Sequence, residues 1–326
     1  MSPSPPDEPA PASTGRFVRR RSEYRNWITP SGEPGPTGDA GFAPARERFH
    51  LYVSYACPWA HRTLILRSLK GLEPFIPVSV VNWRMGASGW SFEPGPGVVS
   101  DPIHQARFLS DVYRADPQEF DGHATTPVLW DRLRGRIVSN ESSDIVRMFN
   151  SAFDALGATP GDYYPPELRG QIDALEGPLY ERLNDGVYQA GFATSQGAYE
   201  AAARGVFQML DELERRLSTR RYLFGDRFTE ADVRLFVTLI RFDAAYHGHF
   251  KCNLRRLADY AALSAYTRDL YQMPAIRRTV HLEHIRHHYY ESHPRLDPTG
   301  IVPIGPQLDL DAPHARESLG PSGVEL

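Results

Sequence analysis

The spacing of hydrophobic residues predicts two kinds of structure along the chain. Residues 48–55 (RFHLYVSY) alternate apolar and polar side chains, which is typical of a β-strand, whereas residues 59–72 carry apolar side chains at helical spacing. Beyond about residue 165, apolar positions recur at i, i+3 and i+4 in the segments 168–184, 199–217, 230–246, 258–272 and 276–290. The pattern therefore predicts an α/β region followed by an all-helical region.

Strands and helices are predicted to alternate within the α/β region. After the first strand and helix, the predicted elements are a strand at 75–81, a helix at 103–113, a hairpin of strands at 126–130 and 136–138, and a helix from 139 to about 150. This β-α-β-α-β-β-α order is that of the thioredoxin-like fold. The predicted fold class is therefore α/β plus all-α, with a thioredoxin-like N-terminal domain and a helical C-terminal domain.

Proline and glycine mark extensions at both ends of the chain. Nine of the 28 prolines lie in residues 1–45, and the sequence after His293 is again rich in proline and glycine. Aromatic and arginine residues between Arg16 and Trp27 favour an arm docked on the body, although a solvated basic stretch has a similar composition. The predicted organisation is an N-terminal extension at 1–45, a thioredoxin-like domain at 46–152, a linker at 153–164, a helical domain at 165–294 and a C-terminal extension at 295–326.

Composition and charge exclude several classes of protein. Two cysteines in 326 residues exclude a disulfide-stabilised scaffold and indicate a reducing compartment. The net charge of −4 provides no basic surface for nucleic acid, and no apolar run reaches the roughly 18 residues of a membrane-spanning helix. The proline-rich start lacks the apolar core of a secretory signal. We therefore expect a cytoplasmic protein that acts on neither nucleic acid nor membranes.

Cys57 is the candidate nucleophile. It follows the first strand and precedes Pro58, a residue that suits the first position of a helix. The N–H groups and the positive dipole at a helix start stabilise a thiolate. Three residues further on, where a dithiol enzyme carries its second cysteine, this chain has Ala60, so an external thiol must resolve a disulfide at Cys57. A buried structural cysteine is the alternative interpretation.

Two further segments are candidates for binding a peptide-like ligand. Pro127 opens the hairpin; in a thioredoxin-like fold it is expected to be cis and to face the cysteine, and an edge-strand proline is the alternative. Glu141 and Ser142 begin a helix, where a serine and N–H groups would hold a carboxylate and a glutamate would hold an ammonium group. Ordinary N-capping by Ser139 or Asn140 is the alternative.

Histidines near the end of the helical region raise the question of a metal site. His281, His284 and His287 recur every three residues and share a helical face with Tyr290. No cysteine and few carboxylates accompany them, so we expect no metal here. A polar helix face beside a substrate cleft is the preferred interpretation.

Several motifs resemble one family. The segment YVSYACPWAHRTLI is similar to the glutathione transferases that have a catalytic cysteine, and other segments narrow the resemblance to the glutathionyl-hydroquinone reductases, the Xi class of that superfamily. The match covers about residues 15–306. The segments that carry it are NWITP, CPWAHR, TTPVLWD, IVSNESSDIVRMFN, NDGVYQAGFATSQGAYE, RYLFGDRFTEADVRLFVTLIRFD, MPAIRRTVHLEHIRHHYY and SHPRLDPTGIVPIGP.

The resemblance implies a glutathione-transferase-type helical domain, usually in a homodimer, and a specific reaction. A glutathionyl-hydroquinone reacts with glutathione to give hydroquinone and glutathione disulfide, with glutathione as co-substrate and no permanently bound cofactor. By resemblance, Cys57 is the nucleophile, and Tyr188 and Tyr289 line the hydroquinone pocket. The positions that match the glutathione site are Trp90, Val128, Glu141 and Ser142.

The sequence departs from the family pattern at His123. His123 stands where the family usually has an arginine, so the affinity for glutathione is expected to be lower or more pH-dependent if that arginine holds the glycyl carboxylate.

An omega-like thioltransferase or dehydroascorbate reductase would share Cys57 and the glutathione site, but the aromatic pocket residues favour a quinol. A non-catalytic transferase-like interaction module is disfavoured by the intact Cys57 and by Glu141 and Ser142.

Overall fold

The computed structural model describes residues 14–120 and 122–323, which divide into two compact units. The first unit comprises Arg20–Pro160 and Glu283–Ser292, and the second comprises residues 14–19, Gly161–Leu282 and residues 293–323. Residues 1–13 of the predicted N-terminal extension and residues 324–326 of the predicted C-terminal extension lie outside the described residues.

The first unit contains the predicted thioredoxin-like elements in the predicted order. Its strands are β1 (Trp27–Ile28), β2 (Gly41–Phe42), β3 (Phe49–Val53), β4 (Val78–Val80), β5 (Val128–Asp131) and β6 (Arg136–Ser139), and its first three helices are α1 (Pro58–Leu69), α2 (Leu109–Arg114) and α3 (Ser142–Ser151). From β3 onward the order is β-α-β-α-β-β-α. The thioredoxin-like prediction is therefore confirmed.

A four-stranded mixed sheet forms the centre of this unit. The strands lie in the order β4-β3-β5-β6, with β3 parallel to β4 and antiparallel to β5, and β5 antiparallel to β6. All five residues of β3 are buried, and α1 packs against α3. The short strands β1 and β2 pair in parallel as a separate ribbon.

The predicted helix at 103–113 is shorter than expected because a carboxylate holds its first half in another conformation. Asp101 accepts the N–H groups of Ile103 at 3.0 Å, His104 at 3.0 Å and Ala106 at 3.2 Å. These bonds use donors in a loop around Asp101, an alternative to the helical ladder that Asp side chains commonly offer. Helix α2 consequently begins at Leu109.

The arm before β3 is docked, and its greater part belongs to the first unit. The side chains of Tyr24 and Trp27 are buried, and an Arg25 guanidinium nitrogen donates to Asp144 in the first turn of α3 at 2.9 Å. The backbone N–H of Asn26 donates to a carbonyl of β6 at 3.0 Å. These contacts tie the arm to the sheet and to α3, and residues 20–45 lie in the same compact unit as the predicted thioredoxin-like domain.

The second unit is helical, as the periodicity predicts. Its helices are α4 (Arg169–Leu179), α5 (Gly186–Gly191), α6 (Gln196–Leu217), α7 (Glu230–Arg241), α8 (Ala261–Gln272) and α9 (Pro274–Arg277). Two predicted continuous helices end in π-helical turns, at Tyr180–Asn184 and at Phe242–Tyr246. Every residue of α7 is buried, so α7 is the central helix of this unit. Among the described helices, none is long and apolar enough to cross a membrane.

Helix α10 (Leu282–Glu291) groups with the first unit from Glu283 onward, although its sequence continues the helical periodicity of the second unit. Its buried side chains are His284, Ile285, His288 and Tyr289. His288 Nδ1 donates to the carbonyl oxygen of Trp83 at 2.7 Å, and the N–H of Met85 donates to the Ser292 hydroxyl at 2.9 Å. These contacts join α10 to the loop after β4, about two hundred residues away in sequence.

Candidate active site

Cys57 occupies the residue directly before the first turn of α1. Its backbone is extended, with φ −69° and ψ 123°, Pro58 begins the helix, and the Cys57 carbonyl accepts the N–H of His61 at 3.0 Å. The side chain is 9% exposed, and its Sγ donates to the carbonyl oxygen of Thr126 at 3.5 Å. The thiol thus lies at the positive end of a twelve-residue helix, where a thiolate is stabilised.

The peptide bond between Thr126 and Pro127 is cis, as predicted. The Thr126 carbonyl oxygen is the group that accepts from the Cys57 thiol, so this segment faces the cysteine. Val128 follows as the first residue of β5, in register with Tyr52 of β3, and its side chain is fully buried. Because its side chain is enclosed, Val128 can meet a ligand only through its backbone.

Tyr113 is not among the site residues predicted from the sequence, but its hydroxyl holds the segment before the cis peptide bond. Its hydroxyl donates to the carbonyl oxygen of Thr125 at 2.9 Å and accepts the Thr125 N–H at 3.3 Å. The Asn140 side-chain amide donates to the same hydroxyl at 3.1 Å, and Asn140 Oδ1 accepts the N–H of Tyr24. Tyr113 therefore ties the loop facing Cys57 to the start of α3, a link that no local sequence pattern signals.

Glu141 itself caps α3, in place of the Ser139 or Asn140 cap considered from the sequence. Its Oε1 accepts the N–H of Ser143 at 3.0 Å, and its Oε2 accepts the hydroxyl of Ser22 at 3.0 Å. The Ser139 hydroxyl accepts the N–H of Glu141 at 3.1 Å. Glu141 thus holds a fixed, partly buried carboxylate at the helix start.

Ser142 is the first residue of α3 and is almost completely buried. Within the described part of the chain, its hydroxyl makes no hydrogen bond of its own. A helix start with available N–H groups and a serine hydroxyl is suited to a carboxylate ligand. The neighbouring Glu141 carboxylate is suited to an ammonium group, so the pair matches the two charged ends of an amino acid.

Trp90 and Tyr289 both lie in the first unit, and α10 connects them. The Trp90 indole is 2% exposed and stacks on the imidazole of His288, with ring centroids 4.8 Å apart and planes at 25°. Tyr289 follows His288 in α10, and its side chain is 1% exposed. The candidate glutathione residue Trp90 therefore contacts His288, and the candidate quinol residue Tyr289 is the next residue of the same helix.

Tyr188 belongs to the second unit and is half-buried within α5. Its ring packs against Phe250 with centroids 5.2 Å apart and against Tyr246 at 5.9 Å. From the N-terminal arm, the guanidinium carbon of Arg19 lies 4.7 Å from the ring centroid, and Phe17 stacks at 6.5 Å. The arm contacts of Tyr188 were not expected from the sequence.

The second cysteine lacks the features that activate Cys57. Cys252 is completely buried, and its Sγ lies 3.9 Å from the carbonyl oxygen of Phe250. Burial raises the pKa of the Cys252 thiol to about 12, although the charge of Lys251 acts in the opposite direction. Cys252 is therefore protonated and inert at neutral pH.

The late histidines make hydrogen bonds and ring contacts instead of a metal cluster. His284 Nε2 donates to the carbonyl oxygen of Pro96 at 2.9 Å, and His287 Nδ1 lies 2.8 Å from a carboxylate oxygen of Glu291. The Trp83 ring contacts both imidazoles. Across residues 14–120 and 122–323, no group of three or more His, Cys, Asp or Glu side chains is arranged to hold a metal ion.

Two protein-family models match the chain in sequence order. The glutathione S-transferase N-terminal domain matches residues 56–152, and the glutathione S-transferase C-terminal domain matches residues 196–269. Among characterised relatives, glutathionyl-hydroquinone reductase YqjG of Escherichia coli (strain K12) is 56% identical over 305 residues, which are 93% of this chain and 93% of the relative.

Solved structures are similar over the same length. The glutathione-bound structure of YqjG from Escherichia coli K-12 superposes with a TM-score of 0.88 at 55% identity, covering 90% of this chain and 96% of that chain. The glutathione-S-transferase Xi from Phanerochaete chrysosporium superposes with a TM-score of 0.85 at 48% identity, covering 91% and 99% of the two chains.

Proposed function

Because the chain belongs to the Xi class of the glutathione transferases, we propose that it is a glutathionyl-hydroquinone reductase that removes glutathione reductively through a Cys57–glutathione mixed disulfide. The observation that carries the proposal is the position of Cys57 before the first turn of α1, with its Sγ 3.5 Å from the carbonyl before a cis proline. The activity of the 56% identical reductase supports the choice of substrate class.

In the first step, the Cys57 thiolate attacks the glutathionyl sulfur of the substrate in its keto tautomer. The new bond joins the two sulfur atoms, and the bond between that sulfur and the quinol carbon breaks. The electron pair of the broken bond passes through the ring to the carbonyl oxygen of the keto tautomer, which takes up a proton, so the quinol leaves as hydroquinone. The quinol carbon is thereby reduced, and the two sulfurs are oxidised to a disulfide.

In the second step, a glutathione thiolate attacks the glutathione sulfur of the mixed disulfide, releasing glutathione disulfide and the Cys57 thiolate. Ala60 is completely buried in α1 at the position where a resolving cysteine would stand. Each turnover therefore needs an external thiol, and the kinetics are expected to be ping-pong.

The residues at the start of α3 and beside the cis proline supply the proposed glutathione site. The Glu141 carboxylate would accept the ammonium group, and the Ser142 hydroxyl with the N–H groups of α3 would bind the adjoining carboxylate. The backbone of Val128 would pair with the peptide, and Trp90 would complete the site. Together these groups form the proposed binding site for glutathione.

Tyr188 and Tyr289 are proposed to donate hydrogen bonds to the quinol. The leaving group of the first step is the enolate of the quinol, which needs a proton or a hydrogen-bond donor at its oxygen as the sulfur–carbon bond breaks. A positioned phenol supplies such a donor, whereas a simple disulfide releases a thiolate that leaves without help. This difference distinguishes a quinol reductase from a general thioltransferase.

We further infer a homodimer in the cytoplasm. The resemblance to the Xi class supports a dimer, and sedimentation analysis of the purified protein would test it. Neither Cys57 nor Cys252 forms a disulfide, which agrees with a reducing compartment.

A steady-state comparison tests the proposed function. Rates are measured with a panel of glutathionyl-hydroquinones, with a simple glutathione mixed disulfide and with dehydroascorbate, and Cys57→Ala serves as the inactive control. The quinol substrates should have the highest kcat/KM. A preference for the mixed disulfide or dehydroascorbate would favour the omega-like enzyme. No turnover and no glutathione adduct on Cys57 would indicate the non-catalytic module.

A further inference from the structure

Arg19 of the N-terminal arm makes two ordered contacts within the second unit. Its Nε donates to Oδ1 of Asp185 at 2.6 Å, and its guanidinium carbon lies 4.7 Å from the centroid of the Tyr188 ring. Asp185 and Tyr188 are three residues apart, on one face of the helical turn that starts α5. One guanidinium group therefore bridges a carboxylate and an aromatic ring on that face.

The environment of this bridge is shielded from solvent. The Asp185 side chain is 7% exposed and that of Arg19 is 28% exposed. Burial lowers the pKa of Arg19, but the charge and hydrogen bond of the Asp185 carboxylate act in the opposite direction, and the pKa is raised above its ordinary value. The arginine is thus charged under all working conditions, and its partner carboxylate keeps it over the ring.

The arm that carries Arg19 is itself anchored. The N–H of Thr194 donates to the carbonyl oxygen of Gly15 at 3.0 Å. Gly15 has φ +74°, and a Cβ there would meet the Ser195 Oγ at 2.5 Å, so the close approach requires glycine. Phe17 stacks on Phe192 with centroids 5.4 Å apart. Residues 14–19 are therefore held firmly enough to place a side chain.

We propose that Arg19 is a positioning residue that fixes the Tyr188 phenol for the quinol part of the substrate, and that the arm thereby contributes to selectivity for glutathionyl-hydroquinones. The inference rests on the proposed function, in which Tyr188 donates to the departing quinol. A cation over the face of the ring restricts its orientation, and a hydrogen-bond donor held in one orientation is more effective in the transition state. Reduction of a simple mixed disulfide does not use this donor.

The test compares two activities in a set of arm variants. Arg19→Ala should lower kcat for a glutathionyl-hydroquinone by about 5–30-fold, the range expected from losing a shielded cation–π contact. Turnover of a simple glutathione mixed disulfide and the KM for glutathione should stay within about twofold, because neither depends on the Tyr188 hydroxyl. Arg16→Ala, at an exposed residue of the same arm, is the matched control and should leave both activities unchanged.

Two further variants show whether Arg19 acts through Tyr188. Arg19→Lys keeps the charge but not the planar fork, so it should restore part of the quinol activity. The double variant Arg19→Ala with Tyr188→Phe should be no slower than Tyr188→Phe alone, because the hydroxyl that Arg19 positions is already absent. Asp185→Asn weakens the hold on Arg19 with little change in shape, so it should also lower the quinol activity. It replaces Arg19→Ala as the test if that variant folds poorly. Thermal unfolding of each variant checks folding.

The outcomes separate the inference from the proposed function. Equal loss of both activities in Arg19→Ala, or additive losses in the double variant, would assign Arg19 a structural role and overturn the inference alone. An unchanged quinol activity in both Arg19→Ala and Asp185→Asn would do the same. A wild-type protein that reduces the mixed disulfide but no glutathionyl-hydroquinone would overturn the proposed function, and this inference with it.

Discussion

Glu141 holds the start of α3 and the docked arm, and two substitutions separate these structural roles from its proposed role in binding glutathione. Oε1 of its carboxylate caps α3 by accepting the N–H of Ser143 at 3.0 Å, and Oε2 holds the docked arm by accepting the Ser22 hydroxyl at 3.0 Å. In the proposed function, the same carboxylate also binds the ammonium group of glutathione. Glu141→Ala removes all of these interactions. Glu141→Gln keeps an acceptor for the cap and removes only the charge.

The expected magnitudes differ for stability and for binding. Loss of an N-cap costs about 1 kcal/mol, and a hydrogen bond to the arm adds about 1 kcal/mol, so Glu141→Ala should lower the free energy of unfolding by about 2 kcal/mol. Glu141→Gln should lower the free energy of unfolding by only a few tenths of that amount. An ammonium group left without its carboxylate costs about 1.5–3 kcal/mol, so both variants should raise the KM for glutathione by about 10–100-fold.

Urea unfolding and initial rates over a range of glutathione concentrations measure the two effects. The decisive variant is Glu141→Gln, because its fold should be nearly that of the wild type. A high KM in Glu141→Gln with near-normal stability supports a carboxylate that binds the ligand. A normal KM in Glu141→Gln, with a raised KM only in the destabilised Glu141→Ala, would refute the ligand role and reduce Glu141 to a helix cap.

Other predictions address the thiols, the tyrosines and one buried histidine. Cys57→Ala and Cys57→Ser should abolish turnover, whereas Cys252→Ala should not, and mass spectrometry after treatment with glutathione disulfide should find the adduct on Cys57. Native protein at pH 8 should not alkylate at Cys252, because its pKa is about 12, and labelling there only after unfolding is the expected result. Tyr188→Phe and Tyr289→Phe should each slow quinol turnover by about 10–100-fold while sparing a mixed disulfide; equal loss of both activities would contradict this. Burial lowers the pKa of His50 to about 4, so the unfolded chain takes up a proton first and stability falls as the pH drops from about 6.5 to 4. Between pH 7 and pH 5 this amounts to about 2 kcal/mol, and urea unfolding of His50→Gln should show a pH dependence smaller by that amount.

Several features of the site follow from short stretches of sequence because their causes are local. A proline after Cys57 marks a helix start, and the β-α-β-α-β-β-α order follows from the periods of adjacent apolar residues. The thioredoxin-like order predicts a cis proline at Pro127, and the resemblance of VSNESSDI to the Xi class implies a ligand at the start of α3. Each signal needs only a few neighbouring residues.

Other features depend on partners that are distant in sequence, and only the tertiary structure decides them. The periodicity of α10 predicts a helix but not its partner, and the structure assigns it to the first unit because His288 meets Trp83 and Trp90. The helix predicted at 103–113 loses its first half because Asp101 takes its N–H groups.

The arm shows the same division between local and long-range causes. Its arginines and aromatics identify a segment able to dock, but Arg19 meets Asp185 across 166 residues, and Ser22 meets Glu141 across 119 residues. Local spacing determines which face a helix presents, since the side chains follow the backbone repeat. Which distant group that face contacts is decided by the packing of the whole unit, where burial and hydrogen bonding select one arrangement.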